Sequence, residues 1–116
     1  MDANSSTLRW IISFSFWISS LIIMGVGLPL WRQKVPPNPI AGFRTAKTLA
    51  DPDLWYFVNA VTGRNLFILG CIIFCMTVVL HFTVSQQRPV VSALILSGVL
   101  AAGALAVAFH GWTLTR

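Results

Sequence analysis

Acidic residues are almost missing from this chain. Three occur among 116 residues, Asp2, Asp51 and Asp53, against eight lysines and arginines, and charged residues make up only 9%. A soluble domain carries about 25% charge. With 56% hydrophobic residues, too little polar surface remains to cover a water-soluble particle. No nucleophile–base–acid set can be assembled, because Asp51 and Asp53 flank Pro52 and read as helix capping. Glycine-rich phosphate loops, HExxH and CxxC are absent from the sequence. Neither catalytic, cofactor-binding nor metal-ligating residues are therefore expected, and the chain is not read as an enzyme. The two cysteines, Cys71 and Cys75, lie one helical turn apart on one face of an apolar run, poorly placed to bridge each other.

The sequence does contain three apolar runs long enough to cross a bilayer. The first covers about 10–30, roughly 31 Å at 1.5 Å per residue. It is too long for a secretory leader's apolar stretch and lacks a small-x-small cleavage site, so it reads as a retained helix. Trp10 and Trp31 bracket it as interfacial anchors. Gly25, Gly27 and Pro29 are expected to loosen or bend its end. The second run covers about 65–84. Pro89 then suits the first position of a third helix at about 90–112, because its missing N–H would be unpaired there anyway. Gly98, Ala102 and Ala106 share a face of that helix and allow close approach of a neighbour. The short connection points to the second crossing as that neighbour; a helix of another subunit is the alternative. The expected fold class is all-α: one membrane domain, 1–116, of three transmembrane helices with a short cytoplasmic or interfacial helix after the first.

Net charge is +5. In a membrane protein, cations mark the cytoplasmic side and suit anionic headgroups, so no nucleic-acid partner is expected. Three crossings place Arg32, Lys34, Arg44, Lys47, Arg64 and Arg116 on one side, with Arg9 and Arg88 on the other. That bias puts the long loop and the C-terminus in the cytoplasm and the N-terminus outside. His81 and His110 fall near opposite ends of antiparallel helices, cannot share an ion within this bundle, and read as interfacial. His110 continues the Gly98–Ala102–Ala106 face towards a neighbouring helix.

The segment 31–63 holds most of the charge and all of the candidate site. Pro36, Pro37 and Pro39 around Asn38 form a stiff lead-out from the first crossing. Gly42 follows, then Arg44, Thr45 and Thr48. Asp51 caps a helix that starts at Pro52 and runs towards the second crossing. Its early part, to about Thr62, lies outside the hydrocarbon, where Trp55 and Tyr56 suit the interface. Gly63 permits a change of direction on entry to lipid. Trp55 and Asn59 share a face with it. A loop of about twenty residues in so small a protein is functional or disordered, and its prolines, aromatics and capped helix favour a folded cap. Arg44 has two readings: an anion contact for a partner, or a tie to Asp51, Asp53 or helix-end carbonyls.

The elements Pro36-Pro37-Asn38, Gly42-Phe43-Arg44-Thr45, Thr48-Leu49, Trp55-Tyr56, Asn59 and Gly63, in that spacing, resemble the SdpI family of bacterial membrane proteins. Two departures accompany the match. The family's namesake is a longer chain with extra crossings, and the pattern often has Arg directly after the Asn, where this chain has Ala60 and then Arg64 one turn on. The namesake is an immunity protein that shields a cell from a secreted, membrane-active peptide toxin and holds a transcriptional repressor at the membrane. The resemblance implies toxin immunity or membrane-based signalling, by binding a peptide, lipid or protein partner. The binding candidates are Pro36, Pro37, Asn38, Gly42, Arg44, Thr45, Thr48, Trp55 and Asn59. The alternative is an accessory subunit that packs Gly98, Ala102 and Ala106 against a larger membrane complex.

Overall fold

The computed structural model describes residues 3–116; Asp2, one of the three acids, lies outside the described residues. The order is α1 (Ala3–Trp31), α2 (Ala46–Ala50), α3 (Pro52–His81), a 3₁₀ turn (Val84–Gln86) and α4 (Pro89–Leu114). The three long helices are each long and apolar enough to cross a membrane, and they stack into a rod of 56 × 23 × 20 Å. This is the expected all-α membrane bundle. Local chemistry sets its breaks. Asp51 Oδ1 accepts from the amides of Asp53 and Leu54, and Pro52 and Pro89 occupy first-turn positions.

α3 lies between the other two long helices, which touch each other only sparsely. The α1–α3 contact is the tightest. A Cβ on Gly63 would sit 2.5 Å from both the Gly27 oxygen and the Trp31 nitrogen, and one on Gly27 would sit 2.6 Å from the Gly63 oxygen. The two backbones therefore touch where only glycine fits. Ser20 and Gly70 meet one heptad further along. Ser13 and Thr77, each 1% exposed, occupy the next heptad positions. Small residues thus repeat every seven positions on both helices, the spacing that keeps one seam facing a partner.

Several expectations are corrected here. α1 continues unbroken through Gly25, Gly27 and Pro29, because Gly27 serves the α3 contact and Gly25 faces open space. Gly63 likewise does not break the helix: α3 continues through it for 30 residues, about 45 Å. The separate short helix after the first crossing is α2, five residues before Asp51, while the helix starting at Pro52 is the second crossing itself. Gly98, Ala102 and Ala106 face away from α3. They are exposed, and a Cβ on Gly98 would meet nothing within 4 Å. α4 instead presents Ser92, Leu96, Gly103 and Gly111 to its neighbours. Leu69 of α3 fills the space over Gly103, and Phe43 lies against Gly111. Among the described residues the Gly98 face has no partner.

Candidate functional site

Residues 35–51 fold back on the first turns of α3 as a compact cap. Its construction starts at Asn38. The Asn38 carboxamide oxygen accepts from the amides of Ile40 and Ala41 at 2.9 and 2.8 Å, and its nitrogen donates to the Pro36 and Ala41 carbonyls. One side chain thereby closes the turn that the prolines cannot close, since they lack N–H groups. Gly42 then adopts φ +114°, where side chains are strained. A Cβ there would also sit 2.8 Å from Asn59 Oδ1 and 3.0 Å from the Trp55 ring.

Asn59 is the lock. It is 2% exposed on α3. Its oxygen accepts from the Phe43 amide, and its nitrogen donates to the Phe43 and Trp55 carbonyls. Trp55, one turn earlier, is completely buried and donates from its indole to the Val35 carbonyl at 2.8 Å. Thr45 and Thr48 form a reciprocal capping box at the start of α2, and the Thr48 hydroxyl also bonds the Phe43 carbonyl. Lys47 ties the far side of the cap to the end of α4 through a 2.9 Å bond to the Thr115 carbonyl. The buried polar side chains Thr48, Trp55 and Asn59 are thus bonded within the cap, as burial requires.

The sequence-predicted residues separate into two sets. Gly42, Thr48, Trp55 and Asn59 are brought together and build the cap; the last three are buried, so no partner reaches them in this arrangement. For Trp55 the interfacial expectation is corrected, because the loop folds over its ring. Arg44 is exposed and makes no hydrogen bond or ion pair among the described residues. The tie to Asp51 or Asp53 is therefore not formed. Asp51 spends its carboxylate on the α3 amides instead.

A second polar cluster, not foreseen, closes the opposite end. His81 was expected at the interface but is fully buried. Its Nδ1 is paired with the Ser13 hydroxyl at 2.5 Å, and its ring lies against Trp10 and Trp17. Arg9 donates to the His81 carbonyl at 2.9 Å, a cation at a helix C-terminus. Antiparallel packing supplies this cluster, and His81 and Ser13 are too far apart in sequence to signal it. His110, at the cap end, accepts from the Asn65 amide of α3 at 2.9 Å. The neighbour it reaches is therefore α3, and the two histidines do occupy opposite ends.

Searches of curated proteins and of solved structures returned no significant match. The sequence model of the SdpI/YfhL protein family, however, matches residues 34–113, which take in the whole cap, α3 and nearly all of α4. Asn38, Gly42, Thr45, Thr48, Trp55 and Asn59, among the residues that carry the resemblance, build the cap or fasten it to α3, and this chain belongs to the SdpI/YfhL protein family.

Proposed function

We propose that this chain is a non-enzymatic immunity or signalling protein of the bacterial inner membrane, which engages an acidic partner through Arg44 on a cytoplasmic cap. One observation carries the reading. Thr48, Trp55 and Asn59 of the pattern are buried and bonded within the cap, while Arg44, in the middle of the same pattern, is exposed and has no partner among the described residues. A guanidinium offers five donors in a fixed fork suited to a carboxylate or phosphate. Six cations on the cap side against two on the other support a cytoplasmic cap. The partner is a peptide, a lipid headgroup or a regulatory protein with an acidic surface. Arg44→Ala should abolish protection of a bacterium sensitive to its membrane-active peptide, while the protein still inserts at normal levels. Full protection by the variant would remove Arg44 from the mechanism.

A second reading is favoured by the outward Gly98–Ala102–Ala106 face, which lacks a partner among the described residues. An accessory subunit would use it to approach a helix of a larger complex. Ala102→Leu should then cut co-purification of that complex in mild detergent at least about tenfold, while Arg44→Ala leaves it intact. Equal recovery with both variants would dismiss this reading.

A further inference from the structure

Two hollows lie end to end along one stripe of α4, where Ala104, Ala108, Trp112 and Thr115 follow one another at helical spacing. The lower hollow, about 300 Å³, opens between α1 and α4 and is lined by Val26, Leu30, Phe43, Ala104, Val107 and Ala108. It is almost wholly apolar. Thr62, 6% exposed, also lines it, and its buried hydroxyl has no hydrogen-bond partner among the described residues. The upper hollow is also about 300 Å³, and its walls include Thr45, Lys47, Trp112, Thr115 and Arg116. Its chemistry is basic. Arg116 lies over the Trp112 ring at 5.1 Å, and Lys47 spends one of its three donors on Thr115. Neither cation pairs with an acid among the described residues. The chain itself joins the two hollows, since Gly42-Phe43 lines the lower and Thr45-Ala46-Lys47 the upper. The Phe43 ring sits on Gly111 between them.

An apolar slot between α1 and α4, continued by two cations that pair with no acid among the described residues and by a tryptophan, has the polarity of one phospholipid. We propose that this groove is a binding site for a single anionic phospholipid. Its phosphate lies between Lys47 and Arg116, and one acyl chain lies between α1 and α4 beneath Phe43. Neutralisation of the two cations selects the anionic headgroup. The site does not involve Arg44 and stands or falls separately from the reading above.

Native mass spectrometry of the detergent-purified full chain tests it, with dioleoyl phosphatidylglycerol and dioleoyl phosphatidylcholine added at equal concentration. One phosphatidylglycerol should be retained about tenfold over phosphatidylcholine. Lys47→Gln with Arg116→Gln should erase that preference, lowering phosphatidylglycerol binding more than phosphatidylcholine binding, because the choline cation already offsets the phosphate of the latter. Ala108→Trp, which fills the slot, should lower retention of both lipids about tenfold; Ala104→Leu replaces it if that variant does not fold. Absence of a headgroup preference would overturn the proposal, as would a preference that survives in the double variant. Unaltered binding to the filled slot, or displacement by soluble glycerol phosphate, would do the same. So would a peptide or protein held in the groove in place of lipid.

Discussion

Gly63→Leu will weaken the bundle more than any other single change in the membrane-spanning region. The backbone atoms of Gly27 and Trp31 stand 2.5 Å from where its Cβ would be. Neither can move aside as a flexible side chain would, so α1 and α3 must separate along their seam. Overpacking a tight contact costs about 1–3 kcal/mol and sometimes more; here two helix backbones form the obstacle, and the upper part of that range is expected. Unfolding in mixed detergent–SDS micelles, followed by loss of helical ellipticity, measures it. Gly27→Leu attacks the same contact from the other side. The double variant should therefore lose less than the sum of the two single losses, as residues in contact do. Gly98→Leu is the control: its Cβ enters open space, and the change should stay within about 0.5 kcal/mol. Comparable losses at Gly63 and Gly98 would refute the assignment of the α1–α3 seam.

Asn59→Leu should release the cap while leaving the three long helices in place. Leucine nearly matches asparagine in shape but makes none of its bonds to Phe43 and Trp55. The Phe43 amide is then buried without an acceptor, at a cost of about 1–3 kcal/mol. This cost falls on the cap alone, because the lost bonds fasten the cap and not the seam. Trypsin reads the effect directly, since Arg44 and Lys47 both lie in the cap. Cleavage there should accelerate about ten- to hundredfold, following the population of the open form. Helical ellipticity should remain. A cap that resists trypsin equally well with leucine at 59 would mean that Asn59 does not hold it.

The parts of this architecture that rest on local chemistry are legible in the sequence. Pro52 and Pro89 mark helix starts, Asp51 caps α3, and the long apolar runs set the number of crossings. The parts that rest on two distant segments meeting are not. The small residues on α4 repeat every four positions and suggest a packing face, yet they look outward. The seam that does pack repeats every seven positions, Ser13, Ser20 and Gly27 against Gly63, Gly70 and Thr77. That repeat becomes informative only once α1 and α3 are known to be antiparallel partners. An aromatic residue near a membrane boundary fits the interface on its own, and only the fold-back of the loop buries Trp55. His81 is buried for the same kind of reason, through Ser13 on another helix. Arg44 shows the reverse case. Three acidic or carbonyl partners were within reach by sequence, and each is engaged elsewhere or left aside.

The decisive quantity is the protection of the cap's own amides. Hydrogen exchange of the unmodified protein in lipid nanodiscs, resolved over residues 38–48, reports whether the Ile40, Ala41 and Phe43 amides are bonded to Asn38 and Asn59. A folded cap predicts exchange slowed well below the free-chain rate at these three positions, with Phe43 the slowest. Exchange of all three at the rate of an unstructured peptide would contradict it.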